Sequence, residues 1–211
     1  MRCAVLISGS GSGMEALVRA QHADGLPHTT TLVVSNRADA YGLERAHNLG
    51  VPTAVVERVD ESGQVRTREQ HETLVLEKLV RHDIEFVVLA GYMRLLSPHF
   101  LNQWQHRVVN IHPSLLPHFP GAHAHRDVLA AGTTISGCTV HMVDEGMDTG
   151  AILGQRSVPV FADDDESSLS ARVKVEEHRL YPTVLTWIAE GRVHLVNGEV
   201  RVDDEQPPTV C

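Results

Sequence analysis

Strand-length apolar runs alternate with helix-length amphipathic segments through the first hundred residues, and a Gly/Ser turn joins the first such pair. Farther along, two longer strand patterns follow each other with no helix between them. Together these observations predict an α/β fold, a doubly wound, mainly parallel sheet with an antiparallel C-terminal part. The first strand is expected over residues 3–8, ending in Gly9-Ser10-Gly11-Ser12-Gly13, and a helix follows with Met14, Leu17, Val18 and Ala20 on one side. Residues 31–35 form a second strand, and Asp39 reads as the N-cap of a helix ending near Gly50. Residues 51–56 make a third strand. A helix over 68–82 carries Leu74, Leu76, Leu79 and Val80 toward the sheet. Residues 86–90 are an uninterrupted apolar run of the kind buried on both faces of a parallel sheet.

The second half starts with a short strand over 108–111, which runs into a Pro- and His-rich loop over 112–125. Strands are expected over 135–143 and 151–160, joined by the loop 144–150, then a long helix over 167–190. Residues 193–196 and 200–202 around Asn197 and Gly198 read as a hairpin, and residues 203–211 as a flexible tail. One domain over 1–202 accommodates all of this, with halves 1–106 and 107–202.

Composition narrows the function classes. The chain has 211 residues, 42% of them hydrophobic but only 4% aromatic, so aliphatic side chains must fill the core. With 18 Lys and Arg against 27 Asp and Glu, the net charge of −9 argues against a nucleic-acid binder or a membrane-surface protein. The apolar runs are far short of the ~20 residues that a membrane helix needs. The N-terminus reads straight into a strand without signal-peptide architecture, so a cytoplasmic location is expected. Cys3, Cys138 and Cys211 are too scattered for a disulfide framework or a zinc ribbon.

Two motifs carry chemistry. The glycine-rich turn between a strand and a helix lets an anion approach backbone N–H groups and Ser hydroxyls. It lacks the Lys-Ser/Thr pair of a Walker loop, the acidic partner of a dinucleotide site and a nucleophile elbow, which leaves a phosphomonoester site or a plain tight turn. Asn110 and His112 lie two apart at a strand end, hence on one face, with Ile111 pointing into the core. Pro113 keeps His112 extended. An amide beside an imidazole suits acyl transfer, because both can hydrogen-bond an oxygen that becomes an oxyanion and the imidazole can move a proton. Asp148, between Gly146 and Gly150, is a carboxylate that could orient His112 or fix a water, with Asp144 and Glu145 as competitors in the same loop. Which of the three reaches His112 is open in the sequence. His118, His123 and His125 lack metal-ligand spacing and read as solvated or substrate-lining, so no metal is expected.

The order of the segments Val5-Leu-Ile-Ser-Gly-Ser-Gly-Ser12, Leu89-Ala-Gly-Tyr-Met-Arg-Leu-Leu96, Asn110-Ile-His-Pro-Ser-Leu-Leu-Pro117, Gly137 through His141 and Asp144 through Gly150 resembles that of the folate-dependent phosphoribosylglycinamide formyltransferases. The likeness extends to Glu177 and Pro182, nearly the whole chain, and the chain length is that of the stand-alone enzyme. The resemblance implies a Rossmann-like formyltransferase fold with a phosphate-binding first half and a catalytic and folate-binding second half. It implies formyl transfer from 10-formyltetrahydrofolate to the amine of 5'-phosphoribosylglycinamide (GAR), the third step of de novo purine synthesis. Asn110, His112 and Asp148 match the family's catalytic trio. Gly11, Ser12, Gly13 and Glu177 match its contacts to GAR; Arg68, Met93, Arg94, Leu95, Leu96, His141 and Val143 match its folate pocket. Gly13 stands where the family commonly has Asn, which removes a side chain but leaves a backbone grip on phosphate. The implied partners are these two small molecules, with no nucleic acid and no membrane, and a homodimer is compatible with the reading. The competing readings are a formyltetrahydrofolate hydrolase, another formyl-folate-dependent transferase such as methionyl-tRNA formyltransferase, and a non-catalytic folate- or phosphate-binding module. An acidic chain of this length is not expected to carry the extra C-terminal domain usual in the tRNA enzyme or the N-terminal regulatory domain typical of the hydrolase.

Overall fold

A computed structural model describes residues 1–196 and 199–203. The hydrogen-bonded order of its seven-stranded sheet is β3-β2-β1-β4-β5-β6-β7, and β8-β9 form a separate pair. The strands and helices are β1 (Arg2–Ile7), α1 (Ser12–Asp24), β2 (Thr29–Ser35), α2 (Tyr41–Asn48), β3 (Thr53–Val55), α3 (Arg68–Arg81), β4 (Phe86–Leu89), α4 (Pro98–Leu101), β5 (Val108–His112), α5 (Ala124–Ala130), β6 (Ile135–Met142), β7 (Ile152–Pro159), α6 (Glu166–Ala189), β8 (Val193–Val196) and β9 (Glu199–Val202). The mainly parallel α/β class matches the expectation. The chain clusters into two compact units, residues 1–109 and the residues from Asn110 onward.

In the first unit β1 pairs in parallel with both β2 and β4, and β2 with β3. Residues 3–7 of β1 and all of β4 are buried, as continuous apolar runs in central parallel strands must be. β3 is shorter than the expected 51–56, although the Pro52 carbonyl still accepts from Val33 N–H and Val56 N–H still donates to the Ser35 carbonyl. Val51 N–H closes the end of α2 on the Ala46 carbonyl, and the Val56 carbonyl accepts from His71 Nε2. Asp39 does not cap α2. Both of its carboxylate oxygens accept from Arg37, and the N-cap is Ala40. On α3 the buried stripe is His71, Glu72, Val75, Leu76 and Leu79, while Val80 is 72% exposed. The apolar residues alone misplace that stripe, since two of its members are polar side chains with partners of their own. α4 was not anticipated, although Ser97 at its N-cap and Pro98 at its first position are start signals.

In the second unit β6 and β7 run antiparallel over eight residues each. α6 starts with a reciprocal capping box between Asp165 and Ser168. In the acidic run at its start, Asp164 is held by Arg172 at 2.7 and 2.8 Å with its side chain largely covered, while Asp163, Asp165 and Glu166 are exposed. Ile111 is half-buried, so it is not the core residue that strict alternation predicted. α5 was also unanticipated. β8 and β9 are the expected hairpin strands; Asn197, Gly198 and residues 204–211 of the expected tail lie outside the described residues.

Candidate active site

From β5, His112 faces the carboxylate of Asp148, and Asn110 faces His141, which meets the same carboxylate. His112 Nδ1 lies 3.4 Å from one oxygen of Asp148 and His141 Nε2 lies 3.6 Å from the other. Asn110 Nδ2 is 3.2 Å from His141 Nε2. His112 Nε2 is 2.9 Å from the carbonyl of Phe119. A carbonyl can only accept, so that nitrogen carries a proton and Nδ1 is the atom turned to Asp148. By the same reasoning His141 is protonated at Nδ1, which lies 2.8 Å from the Met142 carbonyl. His112 and His141 are buried, so one carboxylate stands between two buried imidazoles. Asp148 also accepts the Gly121 N–H at 2.8 Å. Its contact with His141, then the Gly121 N–H and the charge of His112, hold its carboxyl at about 2 against the opposing pull of burial.

The folded geometry of the loop explains why Asp148 rather than a neighbour reaches His112. Asp148 has φ +56°, a left-handed conformation that Asp tolerates better than bulkier residues. A Cβ on Gly150 would lie 1.8 Å from the Met142 carbonyl oxygen, so only glycine fits there. Asp144 is spent inside the turn, accepting from Gly146 N–H at 3.1 Å and the Thr149 hydroxyl at 2.7 Å, and Glu145 is exposed. Ser114 and Thr139 were not singled out in the sequence. Ser114 donates to the His118 and Phe119 carbonyls at 2.6 and 3.1 Å, and Thr139 donates to the Ser114 carbonyl at 2.7 Å, which positions the acceptor of His112. Their one available signal was proximity: Ser114 follows His-Pro, and Thr139 shares a strand face with His141.

The glycine-rich turn belongs to the first unit. Gly11, at φ +69°, is the N-cap of α1, and the N–H groups of Ser12, Gly13 and Met14 precede the helix's first hydrogen bond, from Glu15 N–H to the Gly11 carbonyl. Such an array faces anions favourably. A Cβ on Gly13 would be 4.0 Å from Ala90, so the space itself does not require glycine there. Gly42, missed in the sequence, packs against this turn: its N–H donates to the Gly9 carbonyl at 3.0 Å, and a Cβ on Gly11 would lie 2.5 Å from the Gly42 Cα.

Of the remaining expected site residues, Arg68 is exposed at the first position of α3. Met93 and Leu95 are exposed, Arg94 is half-buried and Leu96 is buried, all within the first unit. His141 joins Asn110 and Asp148, and Val143 follows it half-buried in the second unit. Glu177 is on α6, where burial pushes its carboxyl up to about 7 and Lys174 pulls it down. His118 and His123 are exposed; His125 is half-buried, and burial holds it below the usual imidazole range.

A family model described as formyl transferase matches residues 1–185. The phosphoribosylglycinamide formyltransferase of Escherichia coli (strain K12) is 39% identical over 99% of this chain and 96% of its own length. The trifunctional purine biosynthetic protein adenosine-3 of Drosophila pseudoobscura pseudoobscura is 45% identical over 93% of this chain, which spans only 14% of that protein. The crystal structure of glycinamide ribonucleotide transformylase 1 from Symbiobacterium toebii superposes with a TM-score of 0.91 at 41% identity, covering 97% of this chain and 94% of that one. The chain belongs to the formyl transferase family and, within it, to the phosphoribosylglycinamide formyltransferases.

Proposed function

We propose that the chain transfers the formyl group of 10-formyltetrahydrofolate to the amine of GAR, giving formyl-GAR and tetrahydrofolate. The observation that carries this reading is the meeting of His112 and His141 on the carboxylate of Asp148, with the Asn110 amide against His141. The amine nitrogen attacks the formyl carbon, and the carbonyl electrons move onto oxygen. The Asn110 amide and a protonated His112 stabilise that oxyanion, the ring exchanging one of its ligand-free contacts for the substrate as contacts tighten in the complex. Asp148, ionised at neutral pH, accepts the proton that the attacking nitrogen loses, directly or through water. The oxyanion electrons re-form the carbonyl as the bond from the formyl carbon to the folate nitrogen breaks, and Asp148 helps to deliver a proton to that nitrogen, directly or through water. Gly11, Ser12 and Gly13 hold the phosphate through backbone N–H groups, Glu177 contacts GAR, and Arg68, residues 93–96, His141 and Val143 receive the folate.

The test mixes the protein with 10-formyltetrahydrofolate and follows tetrahydrofolate release by absorbance. Release is expected only when GAR is added, with formyl-GAR formed in equal amount. Release without GAR would make the protein a hydrolase, and binding of both molecules without turnover would make it a binding module. His112→Ala should lower kcat by ~10²–10³ while substrate dissociation constants change much less; an equal loss in both would remove His112 from the chemistry.

A further inference from the structure

Residues 91–97 leave the carboxyl end of β4, a central parallel strand, and such edges are where open α/β sheets gather ligands. The loop carries two exposed apolar side chains, Met93 at 69% and Leu95 at 49%, on either side of Arg94. Of residues 93–96 only Leu96 is buried, and both ends of the loop are tied by side chains distant in sequence. At the start, Met93 N–H donates to Ser8 Oγ at 2.9 Å, and that hydroxyl donates to Asn36 Oδ1 at 2.6 Å. Ser8 N–H also donates to the Gly91 carbonyl at 3.1 Å. At the far end, Ser97 N–H donates to Glu72 Oε1 at 2.8 Å, and the Ser97 hydroxyl donates to the other oxygen of the same carboxylate. Ser8 is 6% and Glu72 2% exposed. A carboxylate is rarely buried without such donors, so Glu72 is held where it is by the loop it holds. Ser8 and Glu72 hydrogen-bond to the loop at Met93 and Ser97, so both residues are placed to act through the loop.

We propose that Ser8 and Glu72 are positioning residues that clamp the 93–96 loop at its two ends in the conformation that receives the formyl donor. This rests on the proposed function for the identity of the donor. A loop ordered before binding loses less conformational freedom on binding, so releasing one end weakens donor binding and leaves the chemical step alone. Freeing one residue corresponds to about tenfold in affinity.

The test has one arm without variants. Amide hydrogen exchange of the ligand-free protein should show Met93 and Ser97 protected although they lie outside helices and strands; rapid exchange at both would overturn the clamp. In the second arm, Ser8→Ala and Glu72→Gln are each expected to raise KM for 10-formyltetrahydrofolate about tenfold, with kcat and KM for GAR within about threefold. Exchange should quicken at Met93 in the first variant and at Ser97 in the second, and Ser8→Thr, which keeps the hydroxyl, should restore both readouts. An unchanged donor KM in folded Ser8→Ala, or an equal loss for both substrates, would overturn the proposal. Should either variant fail to fold, the exchange arm and the other variant decide. Absence of any formyl transfer by the wild-type protein would instead refute the proposed function, and the exchange arm would still judge the clamp.

Discussion

Asp148 concentrates the electrostatics of the candidate site. Its carboxyl, ordinarily at 3.8, is held at about 2, chiefly by His141 and then by the Gly121 N–H and His112. A carboxyl lowered in the folded state stabilises the fold at every pH above its unfolded value, and that contribution disappears as pH falls through the folded value. The shift corresponds to about 2 kcal/mol. Wild type should therefore be more stable than Asp148→Asn at neutrality, and by urea unfolding that advantage should shrink between pH 4 and pH 2 by about that amount, while the other lowered carboxyls, among them Asp164, act alike in both proteins. In activity, the same variant should be slower by ~10²–10⁴ if the carboxylate takes the proton. Because the charges of Asp148 and His112 interact, removing the carboxylate charge should also change the pH dependence of the reaction, and an unaltered pH–rate profile would count against the carboxylate. The choice of Asp148 over Asp144 and Glu145 was not legible in the loop sequence, since all three are carboxylates within five positions. Local hydrogen bonds to Gly146 and Thr149 made the choice by occupying Asp144.

At the scale of elements, α2 and the glycine-rich turn complete each other. The first-turn N–H of Gly42 needs an acceptor, Asp39 is bound to Arg37, and the Gly9 carbonyl supplies the acceptor instead. A Cβ on Gly42 would meet Ile7 Cδ1 at 2.5 Å, Gly11 Cα at 3.0 Å and the Gly9 carbonyl at 3.2 Å. Ile7 is fully buried and the other two atoms are backbone, so something must give. Gly42→Ala is expected to cost ~1–3 kcal/mol of stability and to weaken GAR binding by pushing the turn out of shape. Urea unfolding and ligand titration check the two effects; a variant with wild-type values in both would show that the turn is held by other contacts. The helix N-cap misjudged at Asp39 has the same origin. Capping preference is local, and here a guanidinium two residues away and a carbonyl thirty-three residues away outcompeted it. α3 shows the complementary case: the Thr67–Gln70 capping box sets its start locally, but its buried stripe includes His71 and Glu72, whose burial depends on acceptors and donors elsewhere.

For the molecule as a whole, β5 spans the boundary between the two compact units, with Val108 and Val109 in the first and Asn110, Ile111 and His112 in the second. We propose that residues 1–202 fold as one cooperative domain. The two tryptophans report on each unit separately, Trp104 in the first and Trp187 in the second, both buried. Trp104→Phe and Trp187→Phe, each leaving one reporter, should unfold in a single transition whose fluorescence and circular dichroism midpoints coincide within each variant. Separated midpoints would mean two independently folding bodies. The α/β class, the central strands, the long last helix and the residues Asn110 and His112 were readable from residue order, because burial on two faces, capping boxes and strand alternation are imprinted locally. Residue order also carried the family likeness through contiguous segments. The partner of His112, the inclusion of His141, the roles of Ser8, Gly42, Glu72, Ser114 and Thr139, and the true buried stripe of α3 depended on the folded chain. Each is a hydrogen bond or a close approach between positions far apart in sequence, and such pairings leave no periodic trace along the chain.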